Sequence, residues 1–177
     1  MRDSFPVISV SGRKRMNDFS ESYLGQLRKV VGSRLLIVAG TRIVIENEAG
    51  LILLDHRPDF GLWALPGGAC EPDEDAAGTI IREVLEESGL TLGNVEPFGF
   101  ASDPQWETVT FPNGDMCRNF SLMFTTREFS GTPYPLDGEA LEYRWYDPHD
   151  LPDMVHNHRR SVEAWLRWKA GEGFQLI

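Results

Sequence analysis

Residues 75–88 contain no proline, lie downstream of a Pro66-Gly67-Gly68 break and run into Gly89, so they read as a helix with both boundaries written into the sequence. The segment 68–90 around them holds seven acids, Glu71, Asp73, Glu74, Asp75, Glu83, Glu86 and Glu87, against one base, Arg82. The whole chain carries 27 Asp and Glu against 17 Lys and Arg, a net charge of −10, and more than half of that imbalance falls in this block. At about 100° per residue, Glu83, Glu86 and Glu87 project within a sector of roughly 100° on one helix face. At ~5.5 Å and an effective dielectric of 20, each such pair repels by about 3 kcal/mol. In open water a like-charged pair at i,i+4 costs only a few tenths of a kcal/mol. Either the face is solvated and idle, or something neutralises it. Glu86 and Glu87 also occupy the last turn, where the helix dipole prefers cations. A local rule broken without local gain points to function.

The remaining pattern is that of one mixed domain. From Ser20, the apolar positions Tyr23, Leu24, Leu27, Val30 and Val31 mark one face of a helix that Gly32 would stop. Residues 35–39 and 41–46 are β-branched and apolar, 47–50 form a turn, and 51–55 return as a strand. Residues 62–65 are extended before the glycine break. Beyond the acidic helix, 95–101, 107–111 and 116–125 read as strands, and Asn113-Gly114 between the last two favours a type I′ hairpin turn. A strand at 141–146 and a helix at 157–170, with Val162, Trp165, Leu166 and Trp168 as its apolar surface, close the chain. This order predicts an α/β fold, a mixed β-sheet covered by helices on both faces.

Composition excludes several classes. The chain has 177 residues, 41% of them apolar, which suits one globular domain with no linker between halves. No apolar run reaches membrane-spanning length. Cys70 and Cys117 are too few for a disulfide framework, and no signal-peptide core opens the chain, so a cytoplasmic location is expected. The acidic balance argues against a nucleic-acid polymer as partner. The basic cluster Arg13-Lys14-Arg15 reads as a solvated tail.

The spacing Gly68-x5-Glu74-x7-Arg82-Glu83-Val84-x-Glu86-Glu87-x-Gly89-Leu90 resembles, at every defining position, the signature box of the Nudix hydrolases. The lead-in Trp63-Ala64-Leu65-Pro66-Gly67-Gly68 is similar to the family's usual approach. The resemblance implies a Nudix-type α/β/α sandwich, with residues 1–33 as an N-terminal extension bearing a short helix and 34–177 as the hydrolase domain. It also implies hydrolysis of a pyrophosphate bond in a nucleoside diphosphate linked to another moiety, with Mg2+ (or Mn2+) as cofactor and a small-molecule nucleotide as substrate. Hard divalent cations take oxygen ligands, which agrees with the carboxylate face.

By the same resemblance, Gly68, Glu83, Glu86 and Glu87 hold metal, and a carboxylate among Glu83, Glu86, Glu87 and Glu139 takes the proton from water. Glu74 and Arg82 form a structural pair, and Glu71 is expected in solvent. Thr79 and Ile80 replace the small Ala residues common in the family, and Gly78 weakens the helix by about 1 kcal/mol relative to Ala. Arg57, Trp106 and Arg118 are candidates for substrate binding, each with a salt bridge or core packing as the competing reading. One or two of Trp63, Phe98, Phe100, Trp106 and Phe124 are expected to touch ligand. His156 and His158 have the wrong spacing for two ligands on one helix face. The markers of particular subfamilies are incomplete, so a nucleoside triphosphate or a nucleotide-sugar both fit, with triphosphates ahead. The alternative is a catalytically silent nucleotide-binding or regulatory protein of the same fold, and a relative that isomerises an isoprenoid diphosphate stands as a third reading. Residues 1–33 would serve as a dimer arm, a lid or a tail, so a homodimer is one assembly they allow.

Overall fold

The computed structural model describes residues 19–136 and 138–177; the Arg13-Lys14-Arg15 cluster lies outside them. A 3-10 turn at Phe19–Glu21 leads into α1 (Tyr23–Val31), capped by the Ser22 hydroxyl and closed by Gly32. The two strands expected at 35–46 are one, β1 (Leu36–Ile45). Gly40 does not break it, and its bare backbone suits a paired segment of the same chain that lies so close that a Cβ there would stand 3.0 Å from the Gly68 carbonyl oxygen. Next come β2 (Ile52–Arg57), β3 (Leu62–Ala64) and β4 (Gly67–Ala69). The glycine break is therefore itself a short strand, antiparallel to β1 with Thr41 opposite Gly68.

The acidic helix is α2 (Ala76–Ser88), followed by β5 (Thr91–Leu92), β6 (Glu96–Ala101), the one-turn helix α3 (Pro104–Glu107) and β7 (Thr108–Thr110). The chain ends with β8 (Met116–Thr126), β9 (Phe129–Ser130), β10 (Tyr143–Tyr146), α4 (His156–Lys169) and β11 (Gln175–Leu176). The β7–β8 turn differs from the expected type I′. Gly114 has φ 86° and no described non-glycine residue has positive φ, whereas type I′ needs it at both central positions. Pro112 and Asn113 instead occupy the centre of a turn closed by Gly114 N–H to the Phe111 carbonyl. That is the arrangement proline favours at its second position.

The main sheet runs β11-β6-β8-β1-β4 with β7 also on β8, and its centre is the parallel β1–β8 pair. A second sheet has the order β10-β2-β3, and β5 pairs with β9. Successive residues of the central strands serve two cores, as expected of strands covered on both faces. Ile43, Ile45, Leu53 and Phe124 join Ile80 and Val84 of α2. Val44, Ile52, Leu54 and Met123 join Val162, Ala164 and Trp165 of α4. The result is an α/β/α sandwich around a mixed sheet. The leading halves of β1 and β8 run past this core, that of β1 alternating between half-buried and exposed residues and that of β8 mostly half-buried, and their inward side forms one wall of a cleft.

Candidate active site

Helix α2 is fixed in phase by its ends and its core face. The Asp75 carboxylate accepts the Gly78 N–H at 2.7 Å, and Gly89 at φ 73° closes the last turn with its N–H on the Leu85 carbonyl. With Ile80 and Val84 fully buried, Glu83 and Glu87 must emerge beside β4, and Arg82 and Glu86 beside them. Arg82 binds Glu74 through Nε at 2.6 Å and Nη2 at 3.0 Å, and also reaches the Ala69 carbonyl at 3.3 Å. The expected Glu74–Arg82 pair is thus present and ties the loop after β4 to α2. Burial acts against the Glu74 charge, but the Arg82 guanidinium outweighs it and lowers the pKa. Thr79 adds a hydroxyl bond to Glu74 at 3.1 Å and Ile80 fills core, so both departures from the family's small residues are put to use.

Glu87 is 5% exposed and, among the described residues, its carboxylate has no hydrogen-bond or ion-pair partner, while its backbone carbonyl accepts the Leu136 N–H at 3.1 Å. Burial raises its pKa well above the ordinary carboxylate value, and the charges of Glu83, Asp55 and Glu139 push the same way against Arg57. Burial also raises Glu83 to about 7 although Arg82 opposes it. Across from them Gly68 leaves no room for a side chain: a Cβ there would lie 2.2 Å from Glu83 Oε1. Arg82 engages Glu83 at 3.0 Å and Glu86 at 3.1 Å, and among the described residues no three potential ligands yet converge on one point. What stands there is a buried carboxyl group without a side-chain partner, an all-oxygen donor set and a backbone that can be approached closely. That set fits a hard divalent cation.

These groups line a cleft of about 1460 Å³. Arg57 and Glu139 both reach it, joined at 3.4 Å, with Asp59 as a second partner of Arg57 at 3.3 Å. Two expected substrate contacts are corrected. Arg118 faces the other side of β8, where it lies over the Phe120 ring and donates to the Ser102 carbonyl. Trp106 stacks on His156 and carries Arg160 on its ring. Neither lines the cleft, and nor do Trp63, Phe98, Phe100 and Phe124; Phe19, Phe60 and Phe111 do. His156 begins α4, while His158 is half-buried at the cleft, with Nδ1 accepting the Leu65 N–H at 3.0 Å. Burial, then the Arg42 and Arg57 charges, hold His158 neutral by lowering its pKa.

Three features were not foreseen. Asp55 on β2 is buried with Oδ1 unpartnered, and burial lifts its pKa to about 6. Arg42 on β1 is buried among Glu107, Ser121, Ser161 and the Asn157 carbonyl. Glu71 is not left to solvent but accepts the Tyr23 N–H at 3.1 Å, so α1 is tied to the loop before α2.

Comparison with known proteins agrees with this geometry. The NUDIX domain family matches residues 37–166, and the chain belongs to that family. It is a pyrophosphohydrolase, a hydrolase acting on phosphoric anhydrides. It is 28% identical over 130 residues to the ADP-ribose pyrophosphatase of Methanocaldococcus jannaschii, covering 72% of each chain. It is 31% identical over 125 residues to a putative 8-oxo-dGTP diphosphatase of Bacillus subtilis, covering 70% of this chain and 76% of that one. Among solved structures it resembles the MutT NUDIX hydrolase from Burkholderia pseudomallei at TM-score 0.61 and 25% identity, covering 73% of this chain and 98% of that one.

Proposed function

We propose that this chain cleaves the pyrophosphate bond of a nucleoside diphosphate derivative, a nucleoside triphosphate ahead of a nucleotide-sugar, in a reaction that depends on Mg2+ or Mn2+. The observation that carries this reading is Glu87, a buried and unpaired carboxyl group beside Glu83 and opposite the bare backbone of Gly68. Among the described residues, nine acidic side chains and four arginines line the cleft, and the arginines are engaged with acids or backbone carbonyls. Phosphates need added cations to enter such a field. Relatives named as an ADP-ribose pyrophosphatase and as a putative 8-oxo-dGTP diphosphatase support both substrate classes.

In this reading Glu83, Glu86 and Glu87 hold the metal with the Gly68 carbonyl. The bound ion supplies Lewis-acid polarisation of phosphate oxygens and a lower pKa for coordinated water. The chain's own part is positional. Arg82 and Glu74 fix the loop that presents Gly68, and Arg57 exchanges Asp59 and Glu139 for a phosphate oxygen. One of the box carboxylates or Glu139 accepts the proton from attacking water. Residues 34–177 form the catalytic unit, acting in the cytoplasm on small nucleotides. The test is release of nucleoside monophosphate from a panel of nucleoside triphosphates and nucleotide-sugars with Mg2+. Turnover abolished by excess chelator and by Glu87→Gln is expected. Binding without turnover would establish the silent, regulatory alternative.

A further inference from the structure

Helix α1 lies before the first residue of the family match, yet it borders the cleft through Phe19, Ser22, Leu24 and Arg28 together with the turn preceding it. Its apolar stripe does not explain itself by core packing. No α1 residue belongs to either core cluster, Tyr23 is 47% exposed and Val30 86%. The helix is held instead by polar ties at its two ends. At its start the Glu71 carboxylate accepts the Tyr23 N–H, a placement the helix dipole also favours. Toward its end the Arg28 guanidinium donates to the Met116 carbonyl at 2.6 Å and the Cys117 sulfur at 3.0 Å on β8. The same group donates to the Gly32 and Arg34 carbonyls. One tie leads to the loop of the acidic motif and the other to the β7–β8 hairpin, so α1 spans the cleft's two sides.

The chemistry of this end of the cleft differs from that of the carboxylate end. Arg28 is used up on carbonyls and on Asp115 at 3.7 Å, so it offers no free charge to a phosphate. What α1 and the turn before it present are Leu24 and Phe19, the latter 57% exposed, and the hairpin adds Val109 and Phe111 to the same cleft. Apolar, aromatic walls with little free charge suit an uncharged flat ring. We infer that α1 is the specificity wall of the enzyme, where Phe19 and Leu24 hold the nucleobase of the substrate whose phosphates lie toward Glu83 and Glu87. This inference rests on the nucleotide reading above and adds to it a part of the chain outside the family domain.

The test uses the full chain with Phe19→Ala/Leu24→Ala, and Leu24→Trp as a second variant. Because α1 contributes to neither core, melting temperatures close to that of the parent are expected. The best nucleotide substrate should show a KM raised about 10-fold or more, the scale of apolar-pocket discrimination, with kcat within about twofold. Leu24→Trp narrows the wall and should shift preference from purine toward pyrimidine nucleotides. Calorimetric binding of the corresponding nucleoside monophosphate in chelator gives a readout without turnover, and the double variant should weaken it by a similar factor. A parent that turns over the panel while both variants keep its KM values and ranking overturns the inference and leaves the proposed function intact. A parent that binds monophosphate through α1 but cleaves nothing sustains the inference and overturns the function. A parent that does neither overturns both.

Discussion

At Glu87 the fold keeps a carboxyl group where its neutral form is favoured. The pKa is raised, so the native state holds a proton that the unfolded chain has already released above its ordinary value of 4.5. Stability therefore falls as pH rises through that window. Glu87→Gln removes this burden in metal-free protein at pH 8 and should stabilise it by about 1–3 kcal/mol. That corresponds to roughly 2–4 °C per kcal/mol in melting temperature. The same variant should reduce turnover by a factor on the order of 10² to 10⁴ if the carboxylate serves proton transfer or its alignment. Melting curves in chelator and monophosphate release with Mg2+ check the two halves separately. A variant less stable than the parent at pH 8 would contradict the burden assigned to Glu87. Gly68→Ala tests the opposite wall. Its Cβ would stand 2.2 Å from Glu83 Oε1, so Glu83 must move, and a displacement of this size should cost kcat/KM about 10²-fold with the fold retained. The sequence made this site legible because helical spacing alone places Glu83 and Glu87 together. It misled at Arg118, though the period of a strand already held the answer. In β8, Cys117, Asn119 and Ser121 face the cleft, and the alternate residues Arg118 and Phe120 must face away.

The elements that orient the site are joined by polar ties that spacing does not announce. Arg42 from β1 meets Glu107 at the end of α3, with Asn157 and Ser161 of α4 completing the cluster, and Arg42 and Glu107 are 3% and 2% exposed. These partners lie far apart in sequence, so neither periodicity nor a local motif could have paired them. Arg42→Met leaves the buried Glu107 charge without its cation, held only by the Asn157 amide, which should cost about 3–5 kcal/mol and show as a sharply lowered midpoint in urea. Loss of less than 1 kcal/mol would mean that the cluster relaxes into water. Long elements were read correctly in kind because their two-sided burial leaves continuous apolar runs. The shortest were not. The paired strands β5 and β9 and the terminal β11 have two residues each, too few for a period, and tertiary pairing alone makes them strands. Helix α1 was visible as an amphipathic segment, but its place depends on Glu71 and Arg28, whose partners are 48 and 88 residues away.

Over the whole molecule, charge links stability to the proposed chemistry. The chain carries a net −10, and burial raises Glu83 in the cleft to about 7 and Asp55, on β2, to about 6. In metal-free protein both contributions erode stability as pH climbs from the ordinary carboxylate range through those values. His158 acts in the opposite sense. Its pKa is lowered by burial, so stability is lost as pH falls below its unfolded value of 6.5. A simple pH profile mixes these slopes, but the effect of a divalent cation does not. The cation binds the ionised carboxylates, so binding competes with protons and strengthens as pH rises. At pH 8 and about 100 times the dissociation constant, Mg2+ should add about 2.7 kcal/mol. For a domain of this size that is a rise of about 5–10 °C in melting temperature. At pH 5, where Glu83 and Glu87 hold their protons, the rise should nearly vanish, and in Glu87→Gln it should be small at both pH values. Thermal melts of parent and variant at the two pH values, with Mg2+ and with chelator, measure all of these differences. A Mg2+ shift in the parent that is equal at pH 5 and pH 8 would mean that the ion binds elsewhere on the acidic surface, and it would separate the buried carboxylates from the metal.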